Sequence, residues 1–164
     1  MASRTILIIY DSRDGMTKKV ADVVAEGAKR VSKVTVEVKI ADSVSTQDVT
    51  AADGYAFGSP SYFGLMSGKI LTLLTDLYSV RDKMVGKPVT VFTTGKGDQA
   101  KSLDNLERIV GAFDPVFVKP GIAIETVPGR ARSWELDRAE AAALGERLAK
   151  AVAKEKPYDT KDLF

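Results

Sequence analysis

Thr5-Ile6-Leu7-Ile8-Ile9-Tyr10 is an unbroken aliphatic and β-branched run, the pattern of a strand covered on both faces. A polar loop, 11–15, follows. Val20, Val23, Val24, Gly27, Ala28 and Val31 then recur at helical spacing, which predicts a helix with one buried face. Val34, Val36, Val38 and Ile40 alternate with polar residues and predict a second strand. A third, short strand over 53–58 is expected to stop at Ser59-Pro60, and the next helix to bury Met66, Ile70, Leu73, Leu74 and Leu77. The fourth strand, from Pro88 to Phe92, opens into Thr93-Thr94-Gly95-Lys96-Gly97. Leu103, Leu106, Ile109, Val110 and Phe113 form another helical stripe. Val116-Phe117-Val118 and Ile122-Ala123-Ile124 flank Pro120-Gly121, predicting a bulged fifth strand. The last helix runs from about Trp134 to Lys154 on Leu136, Leu144, Leu148 and Val152, and a polar tail closes the chain.

Strand and helix alternate without a linker or repeat, which predicts a doubly wound α/β three-layer sandwich with a parallel sheet. The 164 residues, 45% of them apolar, suit a single domain, 1–164, with a real core. Lys and Arg number 24 against 22 Asp and Glu, and both halves of the chain mix the signs. That balance provides no field for nucleic acid or an anionic membrane. Cysteine and histidine are absent, which excludes disulfides, thiolate catalysis, Cys/His zinc sites and histidine proton shuttles. No apolar stretch has the length of a signal or a membrane span, so a cytoplasmic location is expected.

In such a sheet ligands sit at the carboxyl edge of the strands, where the winding direction reverses. The loop after the first strand, Asp11-Ser12-Arg13-Asp14-Gly15-Met16-Thr17, combines hydroxyls, a glycine and a helix start. Those are the parts of an anion cradle, and equally of a capped turn. It is neither a Walker loop nor a dinucleotide fingerprint, since no Gly-Lys-Ser/Thr follows and only one glycine is present. After the third strand, Ser59-Pro60-Ser61-Tyr62-Phe63-Gly64 holds two aromatic rings between a proline and a glycine. Exposed there, the rings suit a flat aromatic ligand; folded under the next helix they are simply core. After the fourth strand, Thr93-Thr94-Gly95-Lys96-Gly97 offers bare backbone amides at the same edge. Each loop alone reads as a turn, and their shared placement is the informative feature.

These segments resemble the flavodoxin superfamily. Residues 10–21 are similar to the phosphate loop of flavodoxins and of the flavodoxin domains in diiron flavoproteins. Residues 58–64 and 91–95 resemble the ring-binding loops of the tryptophan-repressor-binding-protein-type quinone oxidoreductases, and 136–153 resembles the superfamily's last helix. The resemblance spans nearly the whole chain and implies a flavodoxin-like, five-stranded parallel sheet in the order 2-1-3-4-5. It implies that Ser12, Arg13, Asp14, Gly15, Met16 and Thr17 surround an FMN phosphate. Ser59, Pro60, Ser61, Tyr62, Phe63 and Gly64 would line one side of the isoalloxazine. Thr93, Thr94, Gly95, Lys96 and Gly97 would approach its pyrimidine edge with backbone donors, which favour negative charge on the ring. Two departures stand out. Asp14 occupies a position the family usually gives to a neutral residue, and a carboxylate facing a phosphate repels it by about 1 kcal/mol or more. The quinone oxidoreductases also carry a histidine near the third loop, and this chain has none.

The expected function is therefore an FMN redox flavoprotein reducing quinones or similar acceptors with NAD(P)H. FMN would carry the chemistry, and Tyr62 is the one plausible phenol beside the ring. The alternative is a flavodoxin-type electron carrier without its own substrate, or further off a cofactor-free interaction module. A phosphoreceiver is excluded because strand three ends Phe57-Gly58-Ser59-Pro60, with no acceptor aspartate. Expected partners are a small-molecule acceptor or a redox partner protein; a homo-oligomer is compatible with either. Arg130, Arg132 and Trp134, after the fifth strand, could receive a nicotinamide cofactor or form a solvated turn with Trp134 packed on the sheet.

Overall fold

Ile6, Leu7, Ile8 and Ile9 are all fully buried, because both faces of their strand are covered. The computed structural model describes residues 3–129 and 132–154. In chain order the elements are β1 (Arg4–Tyr10), α1 (Met16–Ala28), β2 (Val34–Ile40), α2 (Thr46–Ala51), β3 (Gly54–Tyr62) and β4 (Leu65–Met66). There follow α3 (Gly68–Leu77), β5 (Pro88–Gly95), α4 (Gln99–Val110), β6 (Val116–Phe117), β7 (Ile122–Glu125) and α5 (Trp134–Lys154). The polar tail beyond Lys154 lies outside the described residues.

The strands pair in the order β2-β1-β3-β5-β6, with β7 also on β5 and β4 on β3. All pairings are parallel except β3 with β4. This is the expected 2-1-3-4-5 sheet of the flavodoxin fold, with seven strands rather than five. One extra strand arises because the fifth is split: β6 and β7 flank Lys119-Pro120-Gly121, and both lie on β5. Proline removes a ladder donor at that point. The other is β4, which turns the end of β3 into a short hairpin.

Alternation along β1 divides the interior in two. Ile6, Ile8 and Tyr10 pack with α1 and α5 on one face, while Leu7 and Ile9 pack with α3 and α4 on the other. Each such side chain contributes roughly 1.5–3 kcal/mol by leaving water. Edge strand β2 keeps Val34, Val36 and Val38 toward the α1 side, whereas Ile40 at its end, expected in the same row, is exposed. The six-residue α2 escapes a periodicity search because Val49 is its one buried position. It is held instead by a capping box, with Asp48 N donating to Ser45 Oγ (3.1 Å) and Ser45 N to Asp48 Oδ2 (2.9 Å). Leu136, expected on the buried stripe of α5, is exposed; Ala141 and Ala142 take that role.

Helices α1 and α5 cross at glycines. A Cβ built on Gly145 would strike the Val24 carbonyl, and one on Gly27 would strike the Ala142 carbonyl. The contact holds α1 firmly against the sheet and so fixes where its amino terminus points. Gly145→Ala is expected to destabilise the fold by about 1–3 kcal/mol through overpacking, read from urea unfolding midpoints; an unchanged midpoint would show that the helices separate freely.

Candidate functional site

The carboxyl ends of β1, β3, β5 and β7 share one edge of the sheet, and the winding reverses between β1 and β3. At that edge the first loop wraps the start of α1. Gly15, at φ +91°, adopts a conformation that side chains disfavour, and it turns the chain so that several amides face one point. Ser12 Oγ accepts from Gly15 N (3.1 Å) and Lys18 N (3.3 Å), and Asp14 Oδ1 accepts from Met16 N (3.0 Å). The amides of a helix's first turn seek a negative partner, and here two side-chain oxygens supply it. Thr17 is fully buried and shares a 2.9 Å hydrogen bond with Thr94 Oγ1, tying this loop to the end of β5.

The second segment departs from expectation. β3 does not stop at Ser59-Pro60; it runs on to Tyr62, with Ser59 and Pro60 beside Thr93 and Thr94. Pro60 is tolerated for a positional reason. Residues two apart present their backbone groups to the same side, and Gly58 already bonds the last peptide of β1 through Asp11 N (3.1 Å). The missing N–H of Pro60 therefore faces a neighbour strand that has ended. Ser59 is fully buried, donating to the Pro60 carbonyl (2.7 Å) and accepting from Ser67 N (2.8 Å), so it braces the hairpin from behind. Tyr62 pairs with Leu65 across a two-residue turn in which Phe63 (φ +55°) and Gly64 (φ +76°) are both left-handed. Phe63 is 98% exposed, so its ring does not enter the core. Tyr62 is half-buried, with the Arg13 guanidinium 6.0 Å from its ring centroid.

The third segment is held from several directions. Thr93 Oγ1 donates to the Gln99 carbonyl (2.7 Å), and Gly97 N donates to Gln99 Oε1 (2.8 Å). The Gly95 carbonyl accepts from Thr126 N (2.8 Å) and Thr126 Oγ1 (3.2 Å). Asp98 Oδ2 accepts from Gly64 N (3.0 Å), which pins the aromatic hairpin to this loop.

Between the loops lies a cleft of about 640 Å³, an ordinary size for a cofactor site. Eight predicted residues line it: Arg13, Asp14, Pro60, Ser61, Tyr62, Thr94, Gly95 and Lys96. Ser12, Thr17, Ser59, Gly64 and Thr93 instead build its frame through the bonds above. Met16 contributes the amide held by Asp14, and Phe63 stands out at the rim. Asp98 and Thr126 also line the cleft and were missed. Asp98 directly follows the glycine loop, and Thr126 lies two residues beyond the predicted end of the fifth strand, where no glycine or paired hydroxyl marks it. An FMN fits these residues on one observation in particular. Ser61 Oγ is buried in the cleft wall without a hydrogen-bond partner among the described residues, a cost that a ligand's polar edge removes.

Among its described residues the loop after β7 offers no comparable seat. Arg132 is engaged by Asp137 (2.7 Å) and Glu140 (2.6 Å), and these acids push its pKa up further. Trp134 is half-buried against the core with Lys19 Nζ 4.0 Å from its ring centroid, as in the packed-turn alternative. Arg130 lies outside the described residues. Among the described residues no helix is long and apolar enough to cross a membrane.

The family model for a flavodoxin domain matches residues 7–112. A flavodoxin of Aquifex aeolicus is 34% identical, with 90% of this chain and 86% of the relative covered. A flavodoxin of Clostridium saccharobutylicum is 29% identical over 54% of each chain. Among solved structures, a flavodoxin from the domain Archaea superposes with a TM-score of 0.80 at 19% identity, over 91% of this chain and 99% of that one. A WrbA-like flavodoxin from Agrobacterium tumefaciens gives 0.77 at 23% identity, over 94% and 100%. With a model matched over more than half of its length, and a relative this similar along most of it, the chain belongs to the flavodoxin family.

Proposed function

We propose that this chain binds FMN in the cleft between its three loops and acts as an electron carrier between partner proteins. The observation that carries the reading is one cleft lined by residues of all three loops, with the Ser61 hydroxyl in its wall lacking a hydrogen-bond partner among the described residues. When bound, FMN supplies the redox chemistry itself; the chain binds, orients and shields it.

The amides of Gly15, Met16 and Lys18 would take the phosphate, with the Ser12 and Thr17 hydroxyls around it. Asp14 must then release Met16 N, and Ser12 Oγ the amides of Gly15 and Lys18; Arg13 beside Asp14 offsets part of the repulsion. Pro60, Ser61 and Tyr62 would flank one side of the ring, and the Gly95–Gly97 backbone its polar edge. The bond from Gly64 to Asp98 keeps these walls at a fixed spacing. Phe63 and Leu65, 98% and 53% exposed, give the rim an apolar contact suited to a docking protein.

The second reading, reduction of quinones with NAD(P)H, retains Tyr62 as a phenol on the cleft wall. It has less support, because Arg132 is already occupied by two carboxylates.

Fluorescence titration should give saturable FMN binding. Asp14→Asn should tighten it by about fivefold or more, the equivalent of about 1 kcal/mol. Riboflavin, lacking the phosphate, should bind both forms alike; equal FMN affinity in the two proteins would remove Asp14 from the phosphate's surroundings. In anaerobic mixing, NADPH should leave the yellow of the bound flavin intact while dithionite bleaches it. Prompt bleaching by NADPH would replace the carrier reading with the reductase one.

A further inference from the structure

A second cleft, of about 680 Å³, opens on the other side of Tyr62, between the ends of β1 and β2 and the start of α3. Lys69, Thr72, Leu73 and Asp76 line it from α3, at the spacing that places side chains on one helix face. Asp11 lines it from the end of β1 and Asp42 from the turn after β2.

Asp11 sets this cleft apart. It is only 8% exposed, yet its carboxylate has neither a hydrogen bond nor an ion pair among the described residues. Its loop neighbours Ser12 and Asp14 both hold amides of α1; Asp11 holds none. Lys69, the one cation lining the cleft among the described residues, is paired with Asp42 at 2.9 Å. Among the described residues three carboxylates thus share a single ammonium; Asp11 acts on Lys69 only at a distance, and the most buried of the three has no direct ion pair. A carboxylate with so little access to water and no direct partner is poorly compensated, and a cation beside it offsets that.

The chemistry of the walls selects the cation. Among the described residues no group of three or more acids is placed to hold a metal ion, and a hard divalent cation needs about six oxygen ligands. Ala41, Val44 and Leu73 give the cleft apolar sides, which suit a short hydrocarbon stem. The Tyr62 ring forms another wall, and a guanidinium or ammonium can lie against such a ring. We propose that this cleft binds an organic cation, a guanidinium or alkylammonium group on an apolar stem, with Asp11 as the buried counter-ion and Asp76 at the rim. The same chemistry is presented by a free amine or guanidine and by an arginine or lysine side chain of a docking protein. The inference stands without the FMN reading.

The test is an amide NMR titration of the full ¹⁵N-labelled chain with n-butylguanidinium chloride, run with and without FMN. n-Butanol at matched sodium chloride is the neutral control. Saturable shifts at Tyr62, Gly68, Lys69 and Thr72 are expected, with a dissociation constant in the low millimolar range and no matching response to butanol. Asp11→Asn should weaken binding at least tenfold. Lys69→Ala, an exposed position, should tighten it several-fold by removing the competing charge, and keeps the test decisive if Asp11→Asn fails to fold. Tighter binding of acetyl-Ala-Arg-Ala-amide assigns the natural cation to a protein side chain, and tighter binding of butylguanidinium to a free small molecule. Shifts absent, matched by butanol, or undiminished in Asp11→Asn would overturn the proposal, as would unchanged affinity in Lys69→Ala. A failure to bind FMN leaves the FMN-free titration readable, so the two readings fall separately.

Discussion

β1 is paired along both edges, with β2 and β3, and packed on both faces by the two halves of the core. Its carboxyl end therefore has no freedom relative to the ends of β3 and β5. The other parts of the rim inherit that rigidity. The glycine crossing of α1 on α5 sets the direction of α1, and the Thr17–Thr94 hydrogen bond joins its first turn to β5. The brace from Ser59 to Ser67 and the link from Asp98 to Gly64 then place the aromatic hairpin. Three loops with little structure of their own become one preorganised cleft, because each is anchored to the same immobile strand ends.

Electrostatics at α1 give that cleft its character. The first-turn amides require a negative partner, and in this protein Ser12 and Asp14 provide it internally. Binding a phosphate is thus an exchange, of a carboxylate at Met16 N and of a hydroxyl at Gly15 N and Lys18 N, and the net gain is smaller than bare amides would give. Asp14 is the price of a first turn that stays ordered by itself. The exposed, left-handed Phe63 carries a comparable cost: a non-glycine residue in that region is strained by about 1–2 kcal/mol. Strain of this kind persists where surrounding bonds impose it, and here the Ser59 and Asp98 bonds do so from both ends of the hairpin.

The sheet was legible because its signals are long and uniform. The run 5–10 and the alternation 34–40 coincide with β1 and β2 almost residue for residue, and the last helix spans the expected 134–154 although its buried face omits Leu136. Legibility fails where a few residues decide. Ser59-Pro60 reads as a stop, yet Pro60 sits where the neighbouring strand has already ended, a fact of register invisible along the sequence. β4 is two residues long and exists only as a partner for the end of β3. α2 depends on a capping box instead of a stripe. At the site, the loop positions were readable from hydroxyls and glycines, whereas the division into lining and bracing residues was not. Ser59 and Thr93 look like their neighbours in sequence and turn inward only because of strand parity. Asp11 is similar: nothing in its neighbourhood along the chain shows that it alone lacks an amide to hold.

The proposed function requires that the three loops form one seat for a single FMN. Amide NMR of the labelled chain on addition of one equivalent of FMN tests it most directly. The structure predicts that Gly15, Met16 and Lys18 shift together with Gly64, Gly95 and Gly97, all saturating at the same concentration. Shifts confined to one loop, or none at all, would contradict it.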